Sequence, residues 1–229
     1  MKVTTHGEHL TKITRQGWVN AYLVREDDGL TVIDTMIPRS ATDILAAAAQ
    51  QGGAIRRIAL THAHGDHVGS VDELAGRLDG VEILISSRDA RFLRGDKSLD
   101  PAEQQGKARG SFPTIKTEPT RTFEPGERIG SLEVIAAPGH TPGHVAFLDT
   151  RDQTLIAGDA FTTIGGGVAT MTKPPLRFPF AAMATWHKPT ALQTARELRG
   201  LSPSRLAVGH GGVVENPVQA MDEAIVRSG

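Results

Sequence analysis

Apolar residues recur along this chain with two different periods, and the switch between them separates strands from helices. Ala21-Tyr22-Leu23-Val24 and Leu30-Thr31-Val32-Ile33 are short β-branched and apolar runs on either side of the polar Arg25-Glu26-Asp27-Asp28-Gly29, a pattern that predicts a hairpin ending at Asp34. From Ser40 to Gln50 the residues become helix formers. Ser40 is a natural N-cap, Ile44, Leu45 and Ala48 share a face, and Gly52-Gly53 is the stop. Ile58-Ala59-Leu60 reads as a short buried strand. Directly after it comes Thr61-His62-Ala63-His64-Gly65-Asp66-His67, and then Val68, Val71, Leu74, Ala75 and Leu78 at helical spacing as far as Gly80. The histidine cluster therefore occupies a strand-to-helix loop, with one helix expected to follow it.

Val81 to Ser86 predicts another strand, and the polar stretch 88–119 has no clear apolar period, so it is expected to be a linker or a lid. Strand patterns return at 132–136, 145–148 and 154–157. After them comes a Gly- and Pro-rich segment, a helix over 189–198 with Ala191, Leu192, Ala195 and Leu198 on one face, and a strand at 206–208. Asn216-Pro217 opens a last helix carrying Val218, Met221 and Ile225. Strands and helices thus alternate in two comparable halves, about 1–115 and 116–229, of a single domain. Two sheets face to face with helices outside would bury these apolar faces and bring the strand ends together along one edge.

Composition narrows the chemistry. With 229 residues, 25 Lys+Arg against 26 Asp+Glu and a net charge of −1, there is no basic excess to neutralise nucleic-acid phosphates or anionic lipid. No Cys is present, so disulfide and thiolate chemistry are excluded. The opening residues never reach the apolar run of a secretory signal, and no later stretch approaches a membrane span, so a cytoplasmic protein is expected.

The candidate chemistry lies at the strand ends. In extended backbone, residues two apart point to one side, so His62 and His64 can aim two imidazoles at one point, while Asp66 and His67, starting the next helix, face a neighbouring one. His140 follows the strand ending at Ala136, Asp159 follows Thr154 to Ala157, and His210 follows Leu206 to Val208, each beside a glycine that lets the chain turn tightly. Imidazole and carboxylate without thiolate suits Zn²⁺, Fe²⁺ or Mn²⁺, with Zn²⁺ favoured by the number of histidines.

The pattern His62-x-His64-x-Asp66-His67, followed by His140, Asp159 and His210, resembles the metallo-β-lactamase superfamily over nearly the whole chain. The resemblance implies an α+β fold, a four-layer αββα sandwich of two mixed sheets with helices on the outer faces and a dinuclear metal site at one edge. It implies that His62, His64 and His140 hold the first metal, Asp66, His67 and His210 the second, and that Asp159 bridges both. Asp34 matches the family's early Asp and would orient the metal loop. Two divalent cations about 3.5–4 Å apart lower the pKa of a shared water toward neutrality, giving a bridging hydroxide as nucleophile, with Asp66 placed to orient it and take its proton.

Among the activities of the family, hydroxyacylglutathione hydrolases share this ligand set but carry a helical C-terminal domain, for which the nineteen residues after His210 leave no room. The expectation is a small hydrolase with two zinc ions that acts on an ester, thioester or lactone carbonyl of a small molecule, without nucleic-acid or membrane partners. Two alternatives are a mononuclear non-haem iron sulfur dioxygenase using His62, His140 and Asp159, and a metal-binding protein without turnover. His144 is read as a neighbour of the ligands or of the substrate. Trp186 and residues 174–180 could line a pocket in which Arg177 anchors an anionic group. Segments 88–119 and 161–187 are the two candidate lids. Gly165-Gly166-Gly167 is not a phosphate loop, because no Lys-Ser/Thr follows it. His6, His9 and His187 are expected at the surface.

Overall fold

The computed structural model describes residues 1–176 and 178–229, and the expectation for Arg177 lies outside them. The chain divides into two compact units, Met1–Gly95 with Phe112–Phe123, and Asp96–Ser111 with Glu124–Gly229. The first carries β1 (Lys2–His6), β2 (Leu10–Arg15), β3 (Val19–Glu26), β4 (Gly29–Ile33), α1 (Ala41–Gln50), β5 (Ile55–Ala59), α2 (Gly65–Val68), α3 (Val71–Ala75), β6 (Glu82–Ser86), α4 (Ser87–Leu93) and β7 (Arg121–Phe123).

These seven strands form one mixed sheet in sequential order. Neighbours from β1 to β4 run antiparallel, whereas β4 to β7 run parallel because the intervening helices carry the chain back. Three carboxyl ends are thereby brought level: Ile33 pairs with Ala59, and Ala59 with Leu84. Asp34, the His62 loop and α4 all leave the sheet at this edge, where parallel sheets place their ligands.

The expected hairpin is β3–β4, with Glu26 paired to Gly29 across a tighter turn than the sequence predicted. The β1–β2 hairpin was not expected. Its first strand is a half-exposed edge without apolar alternation, and its second buries polar residues, Thr11, Lys12 and Thr14. Burial holds the Lys12 ammonium below its usual pKa, with Lys2 contributing in the same direction. The single helix expected after the histidine cluster is two short ones, broken at Gly69-Ser70. A side chain at Gly69 would run into Pro38, so the break lets the chain pass close to the segment after β4.

In α3, Asp72 accepts hydrogen bonds from the backbone of Lys116 at 3.1 Å and from both the backbone and the hydroxyl of Thr117 at 2.8 Å. Burial alone would raise this carboxyl's pKa, but the bonds to its charged form prevail and hold it below the ordinary value. The stabilisation is therefore present above the unfolded carboxylate's pKa and is lost as pH falls through the lower folded one. Asp72→Asn is expected to cost about 1 kcal/mol at pH 7, discounted for exposure, and progressively less as pH falls below the ordinary carboxylate pKa. Urea denaturation over a descending pH series measures the difference.

The second unit carries β8 (Arg128–Ile129), β9 (Leu132–Ala136), β10 (Val145–Asp149), β11 (Thr154–Ile156), a 3-10 turn at Gly158–Ala160, β12 (Phe161–Thr162), β13 (Ala169–Thr170), α5 (Phe180–Ala184), α6 (Lys188–Gly200), β14 (Arg205–Ala207), β15 (Val214–Glu215) and α7 (Val218–Ser228). Its main sheet is ordered β15-β14-β11-β10-β9-β8, and β12 pairs with β13 separately. Because β9 and β11 each run antiparallel to β10 and β11 runs parallel to β14, the strands β9, β11 and β14 point the same way. The turns holding His140, Asp159 and His210 leave their three carboxyl ends. Ala195 and Leu198 of α6 and Met221 and Ala224 of α7 pack on Ala146, Leu148, Leu155 and Leu206 of the sheet, which fixes those ends from behind. The expected α+β class with two mixed sheets and flanking helices is what the chain forms.

Candidate metal centre

In the first unit the histidine loop is tied down before any ion enters it. Asp34 is held at φ +59°, and its carboxylate accepts the Thr61 backbone N–H at 2.8 Å, the Thr61 hydroxyl at 2.8 Å and the His67 Nδ1–H at 2.7 Å. The hydrogen of the Thr61 hydroxyl is committed to Asp34, so at 3.0 Å it can only accept from His62 Nδ1–H. Both histidines are thus fixed as tautomers whose Nε2 carries the lone pair. His62 Nε2 lies 3.1 Å from His64 Nδ1, and the His62 and His67 rings are 4.1 Å apart. Asp66 stands in the first turn of α2, half buried beside the wholly buried His67.

Two residues that the sequence reading passed over complete this half. Asp89, fully buried at the start of α4, accepts the Ala63 N–H at 3.1 Å and so fixes the peptide between His62 and His64. Its only sequence signal is that of an ordinary helix start after a strand, with Ser86 Oγ capping its own N–H. Phe112, in the expected irregular stretch, stacks 4.7 Å from the His64 ring and 4.5 Å from Phe92.

In the second unit, Asp159 Oδ2 lies 3.3 Å from His140 Nε2 and 3.2 Å from His210 Nε2. His140 repeats the tautomer lock. The Thr185 hydroxyl donates to the Met171 carbonyl at 3.2 Å and accepts from His140 Nδ1–H at 3.1 Å. Thr185 was also missed, since a threonine 45 residues away in sequence gives no local sign of its role. Gly139 is required less by a metal than by helix packing: at φ +128° its missing Cβ would stand 2.3 Å from Ala191 N in α6. Likewise a Cβ on Gly211, at φ +115°, would lie 2.3 Å from the Thr163 hydroxyl.

His144 joins two backbone groups. Its Nδ1–H donates to the Ala137 carbonyl at 2.8 Å, and its Nε2 accepts the Asp159 N–H at 3.0 Å. Both ring nitrogens being committed, this histidine sets the turn that presents Asp159. His144→Ala is expected to orphan two buried backbone groups and lower stability by about 2–3 kcal/mol while retaining metal, as thermal melts and elemental analysis would read. His187, expected at the surface, instead caps α6, its Nδ1 accepting the Thr190 N–H at 3.3 Å.

Of the seven candidate ligands, His62, His64, Asp66 and His67 belong to the first unit and His140, Asp159 and His210 to the second, and each is a group that could hold a metal ion. Apart from Asp66 they are all buried. Burying so many imidazoles beside carboxylates is costly unless a cation offsets their dipoles and charge, and a nitrogen-and-oxygen donor set without sulfur fits a divalent transition ion.

No helix among the described residues is long and apolar enough to cross a membrane. The sequence pattern of the metallo-beta-lactamase superfamily matches residues 15–210. The chain is 46% identical over 211 residues to "Uncharacterized protein YobT" of Bacillus subtilis (strain 168), covering 92% of this chain and 90% of that one. It is 30% identical to "Probable metallo-hydrolase YflN" of the same organism, covering 84% of this chain and 80% of that one. Among solved structures it is similar to the di-iron-bound form of TTHA1623, with a TM-score of 0.66 and 28% identity over 90% of this chain and 94% of that one. The chain belongs to the metallo-β-lactamase superfamily.

Proposed function

We propose that this metal-dependent hydrolase works with two divalent ions, zinc in the first instance, and cleaves an ester, thioester or lactone of a small molecule. In this reading the two units act as one domain. His62, His64 and His140 hold one ion, Asp66, His67 and His210 hold the other, and Asp159 serves both. The observation that supports the reading is the set of oriented imidazoles: Asp34, Thr61 and Thr185 take the Nδ1 hydrogens of His67, His62 and His140 and so keep the lone pair of each ring on Nε2.

When bound, such a pair of ions supplies Lewis acidity, which makes a nucleophile of water near pH 7 and polarises the carbonyl under attack. The chain supplies the rest. Asp66 accepts the proton of the attacking water at its carboxylate and returns it to the leaving group. Asp34 and Thr185 prevent the ligand imidazoles from turning. Phe112 against His64 and Phe178 against His210 present apolar ring faces that keep bulk water from these histidines.

The test is metal analysis and turnover on the full chain, loaded separately with zinc, iron and manganese and offered aryl esters, thioesters and lactones. Two equivalents of metal with hydrolysis of at least one class support the reading. One iron per chain with oxygen consumption on a persulfide favours the dioxygenase alternative. Failure to take up metal under any loading condition overturns both.

A further inference from the structure

We propose that the exposed side chains of Leu176, Phe180 and Met183, in one short segment, form an acyl-binding lip, which takes the hydrocarbon chain of an aliphatic ester or thioester; this rests on the hydrolase reading above. Five large hydrophobic side chains are prominently exposed among the described residues, and three of them, Leu176 at 98%, Phe180 at 70% and Met183 at 66%, fall within this one segment. Phe180 and Met183 are three residues apart on α5 and so share a face.

The helix α5 is fastened to candidate ligand histidines on both of its sides. The Phe178 ring lies 4.8 Å from that of His210. At the other end, Thr185 holds His140 Nδ1 at 3.1 Å, and the Trp186 N–H donates to the His140 carbonyl at 3.0 Å. Phe180 and Met183 lie between these anchors and Leu176 just before the first, and all three stand in water at a cost that a ligand or partner recovers. Three side chains are too few for a stable protein interface, which buries about 800 Å² on each partner. They suit one alkyl chain that starts at the reacting carbonyl and runs outward past Phe178. The unbranched Met183 can adapt to chains of different length.

The experiment uses the zinc-loaded full chain and the double variant Phe180→Ser, Met183→Ser, with p-nitrophenyl acetate, butyrate and octanoate as substrates. The readout is the ratio of kcat/KM for octanoate to that for acetate. It is expected to be at least about tenfold in the parent, well below the full value of burying six methylenes, and to approach unity in the variant through KM. Calorimetric titration with octanoate and acetate ions reads the same preference without turnover. Hydrolysis with no dependence on chain length, or an equal slope in both proteins, overturns the lip and leaves the hydrolase reading standing. Selective octanoate binding lost in the variant, without hydrolysis of any ester, keeps the lip and removes the hydrolase reading. A parent that is dimeric by light scattering and a monomeric variant assign the face to a second copy and also overturn the lip.

Discussion

On the two-ion reading proposed above, Asp159→Asn is expected to reduce bound metal from two equivalents to one or fewer and to lower hydrolysis on the order of 10³-fold. Asp159 has the imidazoles of His140 and His210 within 3.3 Å of a single oxygen, Oδ2. Asparagine keeps the shape, and the turn is set by the backbone bond from Asp159 N–H to His144, which the substitution leaves intact. The fold should therefore survive while the negative charge is lost. Elemental analysis and circular dichroism on one preparation separate these effects. Full metal content with parental turnover would remove Asp159 from the centre.

Asp66→Asn is expected to leave a folded protein whose kcat falls by about 10²–10⁴-fold, the usual worth of a positioned proton acceptor. The asymmetry between the two aspartates rests on burial. Asp159 is 3% exposed and wedged between imidazoles, whereas Asp66 stands half buried in the first turn of a four-residue helix, open to an incoming proton. Loss at Asp159 should thus appear first in metal content, and loss at Asp66 first in turnover at saturating metal. Unchanged hydrolysis in Asp66→Asn would exclude it as the base.

The main lines of the fold were legible because strands β3 to β6, β9 to β11 and β14 each contain a short apolar or β-branched run. The β1–β2 hairpin was not, since its buried positions are filled by Thr11, Lys12 and Thr14, which carry no apolar signal. The break at Gly69 depends on Pro38, a contact that no local window contains. In the candidate site, the histidines and aspartates were legible because their spacing is unusual, while the residues that orient them were not. Asp89 looks like any helix start, and Thr185 lies in a segment whose course depends on where β13 and α6 bring it. Sequence spacing reveals which groups can donate to an ion, but the hydrogen bonds behind them exist only once the sheets are assembled.

The committed Nδ1 hydrogens of His62, His67 and His140 have one more consequence. An unfolded chain samples both ring isomers of each imidazole, so an ion meeting it must select among many arrangements and gains little from any of them. Folding makes that selection in advance, with the hydroxyls of Thr61 and Thr185 and the carboxylate of Asp34 as the arbiters. An ion that meets the folded chain therefore finds its nitrogen donors already oriented, and the free energy of orienting them is not drawn from the binding step.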